Sequence, residues 1–121
     1  MDKSCKDRVR EAFNSRMSDI RIMWDRQQLG ERISMDSELP PLEEYGLSID
    51  YVERGTWSKP GQPKSEPYWR YQLSWGGPSE EFRLYDSGVL QFWFLDWFDG
   101  AYVIVKGRDA EIIKNIIANA E

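Results

Sequence analysis

The sequence predicts an α+β protein: a long N-terminal helix, an antiparallel meander of four to five strands, and a C-terminal helix. Three observations predict it. Apolar residues recur three and four apart at both ends of the chain, the spacing of one helix face. Between those ends, short segments alternate apolar and polar residues, the period of a strand with one buried face. The segments are joined by short turns and, over Thr56 to Pro67, by a hairpin loop of three prolines and a glycine; no crossover helix lies between them, so chain neighbours pair antiparallel. A chain of 121 residues fits one domain, 1–121, with a single core.

Residues 3–33 read as the first helix. Cys5, Val9, Phe13, Met17, Ile20 and Met23 or Trp24 form its apolar stripe, and Gly30 marks an end or a kink. Up to Arg32 there are eight basic and six acidic residues, a net +2, against −7 for the remainder (eight basic, fifteen acidic). The stripe is narrow and the helix long. It is expected to pack on the sheet, and in part on a second copy, as in a homodimer.

Residues 34–46 read as an acidic connector, where Pro40-Pro41 forbids a continuous helix. From Ser34 to Glu53 the acids Asp36, Glu38, Glu43, Glu44, Asp50 and Glu53 occur with no Lys or Arg. The sheet is predicted over 47–105. Leu47, Ile49 and Tyr51 point inward from a first strand. Trp69, Tyr71, Leu73 and Trp75 line one face of the next, and Phe82 and Leu84 the inner face of a third. Val89 to Val105, VLQFWFLDWFDGAYVIV, is the most apolar run. It reads as a central strand buried on both faces, an Asp99-Gly100 turn and a short final strand. Asp109 is the expected N-cap of a helix over 109–120, with Ile112, Ile113, Ile116, Ile117 and Ala120 on its apolar side.

Composition removes several function classes. The chain has no histidine, which excludes His-based metal sites, triads and general bases, and its one cysteine, Cys5, cannot form an internal disulfide. A net charge of −5 argues against direct binding to nucleic acid, which needs a basic face. The charged N-terminus lacks a signal-type apolar segment, and the aspartates of the apolar run disfavour a membrane span, so a cytoplasmic protein is expected. Gly76-Gly77-Pro78-Ser79 lacks phosphate-loop spacing, and Ser74 and Ser79 have no histidine to activate them. Asp96 and Asp99, three apart across a strand and turn, should face opposite ways, against a shared cation. Asp96 lies in an apolar strand and needs a partner, for which Arg70 or Arg83 is the expected choice, as a buried ion pair. No catalytic set, cofactor or metal is expected. Trp57, Tyr68, Trp69, Trp75, Trp93 and Trp97 exceed what a small core easily holds, and surplus aromatics favour interfaces.

Three stretches resemble one family. LPPLEEYGLSIDYV (Leu39 to Val52), YQLSWGGPSEEFR (Tyr71 to Arg83) and FLDWFDG (Phe94 to Gly100) look like a family of small uncharacterised proteins of proteobacterial plasmids, phages and integrative elements. The resemblance spans roughly the middle half of the chain, excludes the N-terminal helix and carries no assigned activity. It implies genomic company in which small acidic proteins often inhibit host defence, anti-CRISPR and anti-restriction proteins among them.

The expected function is therefore a non-enzymatic protein-binding module, an acidic inhibitor that occupies the basic, nucleic-acid-binding surface of a host complex. Glu38, Glu43, Glu44, Glu80 and Glu81 are the expected contact carboxylates, with Tyr45 and Trp57 as anchors. Two other readings differ in class: a small-ligand protein or enzyme with a pocket around Asp96, Arg70 and Arg83, and a regulatory homodimer built on the N-terminal helix.

Overall fold

The computed structural model describes residues 4–30, 39–53, 66–96 and 99–120. Its elements are α1 (Cys5–Gln28), α2 (Leu42–Tyr45), β1 (Ser48–Val52), β2 (Tyr68–Ser74), β3 (Ser79–Tyr85), β4 (Leu90–Asp96), β5 (Asp99–Ile104) and α3 (Gly107–Ala120). The fold is α+β, as the sequence predicts. The five strands lie in chain order, β1-β2-β3-β4-β5, each antiparallel to its neighbours.

The α1 stripe is buried throughout: Cys5, Val9, Phe13, Met17, Ile20 and Met23 all enter one core with Tyr71, Phe82, Phe92, Phe94, Ile113 and Ile117. The chain's own sheet and α3 cover this stripe, so no second copy is needed to bury it. The helix stops at Gln28, short of the predicted residue 33, because Gly30 turns left-handed at φ 70°. At the other end Ser4 makes no side-chain cap. Instead Asp99 accepts the Cys5 backbone N–H at 2.8 Å, capping α1 from the far end of the chain. That bond holds the Asp99 carboxyl below its usual range.

All three helices sit on the sheet face that carries Tyr71, Phe82, Phe92 and Phe94. Phe92 meets Phe13 of α1 at 5.6 Å between ring centroids and Phe82 at 5.1 Å. Three α1 arginines latch this layer: Arg8 to Asp96 at 2.7 Å, Arg16 to Glu80 at 2.8 Å and Arg21 to Asp109 at 2.6 Å. Among the described residues no helix is long and apolar enough to cross a membrane.

Several local expectations are corrected. β4 is neither the middle strand nor buried on both faces; Leu90, Phe92 and Phe94 are buried while Gln91, Trp93 and Leu95 are half-buried. Asp99 and Gly100 are not the turn but open β5, opposite Asp96 and Leu95. The strand reversal therefore makes Asp96 and Asp99 cross-strand partners on the same face, where residue counting along one strand puts them on opposite faces. The connector 34–46 includes the unpredicted helix α2, begun immediately after Pro41. Asp109 lies inside the first turn of α3 and binds Arg21 there, without capping the helix. A register break between Gln72 and Ser74 ends the alternation of β2, leaving Trp75 74% exposed. Leu47 and Tyr51 are exposed, and only Ile49 of the predicted inward trio packs against the core.

Candidate functional site

The candidate contact carboxylates differ in whether an arginine of the same chain holds them. Among the described residues six carboxylates are engaged by arginines of the same chain: Asp25 by Arg108, Asp50 by Arg70, Glu80 by Arg16, Glu81 by Arg83, Asp96 by Arg8 and Asp109 by Arg21. This corrects the expected pairing of Asp96 with Arg70 or Arg83. Arg70 sits opposite Asp50 in the β1–β2 register and grips it with two N–H groups at 3.1 and 2.7 Å. Arg83 turns to Glu81, two residues away on its own strand, at 2.8 Å. Asp96 is on the opposite, helix-facing side and meets Arg8, whose guanidinium also lies 4.6 Å from the Phe94 ring centroid. The three residues of the anticipated pocket thus belong to three separate ion pairs.

Glu80 and Glu81 are likewise no free acidic surface. Glu80 receives Arg16 Nε and Nη2 at 3.2 and 2.8 Å and the Ser74 hydroxyl at 3.2 Å. Glu81 is 3% exposed, on the face away from the helices. There the Arg83 guanidinium lies 4.2 Å from the centroid of Trp93 and 4.9 Å from that of Tyr68. Its cross-strand neighbour Gln72 is buried too, with an Nε2 that has no hydrogen-bond partner.

Glu43 and Glu44 are the candidate contact carboxylates in described residues that are in none of these pairs. Both lie exposed on α2. Tyr45, the last residue of that turn, is half-buried; its hydroxyl accepts from Arg16 Nη1 at 3.2 Å and donates to Asp19 at 3.0 Å. That network fixes α2 to α1, and burial raises the Tyr45 phenol above its ordinary value. Leu42 anchors the turn from below, at 8% exposure. Glu38 and Trp57 lie outside the described residues.

Beside Glu43 the surface is concave and apolar. Two adjoining hollows of about 260 and 290 Å³ share Leu42, Glu43, Ile49, Ile116 and Ala120. They run between α2, the outer edge of β1 and the ends of α1 and α3. Exposed Leu47, at 61%, stands at the rim. Sequence reasoning missed this corner because it placed Leu47 inward and read no helix after Pro41. The signal was present in LEEYGL, which sets two acids among three large apolar residues.

The floor of the corner is Tyr71. Gly46 makes its close approach possible: a Cβ there would stand 2.2 Å from Tyr71 Cε1. Burial, with the Tyr45 ring nearby, pushes the Tyr71 phenol from the usual 10 up to about 12. The folded state therefore keeps a proton that the unfolded chain loses. Stability should fall between pH 10 and 12, by about 2–3 kcal/mol from this group. Denaturant melts of the parent and Tyr71→Phe across that range check it, and the difference between the two should grow with pH.

No family model, no curated protein and no solved structure matches the chain.

Proposed function

We propose that this chain is a non-enzymatic protein-binding module whose contact surface is the α2–β1 corner, presented to a basic partner. The observation that carries the reading is the placement of Glu43 and Glu44. They stand exposed beside an apolar hollow and exposed Leu47, while the other carboxylates proposed from sequence and lying in described residues are held by internal arginines. Apolar area rimmed by charge of one sign is the composition of a protein interface, with the charge steering approach and choosing the partner. The inhibitor of a defence nuclease is a narrower form of this reading. It rests on the family resemblance, and in it the partner's basic surface is the one that holds nucleic acid.

Affinity capture with the parent and with the Glu43→Lys/Glu44→Lys variant tests it. Neither side chain supports the core, so the variant should fold and lose at least about tenfold in affinity, with a flattened salt dependence. A partner retained equally by both proteins removes the acidic corner from the contact. Competition of the captured partner by DNA or RNA separates the narrower form from the broader one.

A further inference from the structure

We infer that the corner binds its partner by strand addition: an extended peptide carrying alternating apolar residues and Lys or Arg pairs with the outer edge of β1. The inference rests on the binding reading above and specifies the partner's chemistry. β1 is an outer strand of the sheet, bonded on one side to β2. Among the described residues no strand pairs with its other side, where backbone N–H and C=O groups favour another strand.

The surroundings define what that strand must carry. Side chains of an added strand alternate between the two sheet faces. Those on the helix side would lie over the hollow lined by Leu42, Ile49 and Ile116, which suits Val, Ile or Leu. On the opposite side β1 shows Ser48, Asp50 and Val52, with Asp50 already held by Arg70, a strip that suits polar residues. Glu43 and Glu44 at the mouth add a preference for positive charge. The five residues of β1 offer about 17 Å of edge, enough for one short segment.

Charge also selects among occupants. A second copy carries the same net charge of −5 as the first and would meet it acid against acid. A basic peptide meets no such repulsion.

The test uses the full ¹⁵N-labelled chain and two synthetic probes. One is an acetylated, amidated decapeptide of alternating valine and lysine. The other is the same peptide N-methylated at every residue, which removes the strand-pairing N–H groups on both of its edges and keeps charge and side chains. The unmodified peptide should slow amide exchange within Ser48–Val52 and bind at least about tenfold more tightly than the methylated one. Equal binding of both peptides, protection at β5 in place of β1, or no binding at millimolar concentration overturns strand addition. So does a free chain that sediments as a dimer with β1 already protected.

The Glu43→Lys/Glu44→Lys variant separates the two claims. If it loses binding while both peptides bind the parent equally, the acidic corner stands and strand addition falls. If it binds both peptides as the parent does, the acidic contact falls, and the methylation ratio alone decides the strand.

Discussion

Replacing Phe92 by Ala should cost about 3–5 kcal/mol, the largest single effect expected in this chain. Phe92 is fully buried and joins the two halves of the core. Its ring meets Phe13 on α1 and Phe82 on β3, so truncation removes contacts from the helix layer and the sheet together. Neither neighbour can close the gap without leaving its own packing, and Phe82 is already stacked on Tyr71 at 6.0 Å. Thermal and denaturant unfolding should show a Tm lower by roughly 10–20 °C with little change in denaturant slope. Trp75→Ala is the matched comparison. It removes a larger side chain, but one 74% exposed, and should cost under about 0.5 kcal/mol. If the two substitutions cost the same, the assignment of the core is wrong.

The second large effect is expected at Arg16. Its guanidinium holds Glu80 with two bonds, donates to Tyr45 and lies 5.6 Å from that ring's centroid. The side chains are 24% and 13% exposed, too sheltered for water to replace either partner fully. Arg16→Met keeps most of the apolar stem and leaves Glu80 a largely buried charge with only the Ser74 hydroxyl. The expected loss is about 2–3 kcal/mol, below the range for a fully buried pair because some solvent remains. Adding Glu80→Gln should recover part of it, since the amide removes the stranded charge. A double-mutant cycle by urea unfolding measures this; additive losses would mean that the pair is not coupled. The variant should also weaken partner binding at the corner, because Arg16 is the tie between α1 and Tyr45 of α2.

Some of this was legible in the sequence for physical reasons. Periodicity identifies a buried helix face without reference to what covers it, and the six α1 stripe residues are all in the core. Ile112, Ile113 and Ile117 follow the same rule. Turn lengths imply neighbouring antiparallel strands, and the sheet order is the chain order. Partner choice is another matter, because it depends on which ends of distant elements meet. Nothing local to Asp96 indicates that Arg8, 88 residues earlier, lies across it. Strand parity does separate Glu80 from Glu81, one facing α1 and the other facing away. Expecting both as contact carboxylates overlooked that alternation. The corner was hidden for a different reason: a four-residue helix has no period to detect, and its existence depends on Leu42 and Tyr45 finding tertiary partners.

The capping of α1 by Asp99 gives the chain a built-in chemical reporter. Cys5, the residue whose N–H is held, is the only cysteine and is 2% exposed. Burial raises its thiol pKa, and the Asp99 carboxylate beside it adds to the effect. In the closed state the sulfur is thus both shielded and short of thiolate, the form that reacts. Alkylating reagents gain access when the first turn of α1 lifts from β4 and β5. Labelling kinetics in native buffer therefore count these local openings directly, at one defined place, in the unmodified protein.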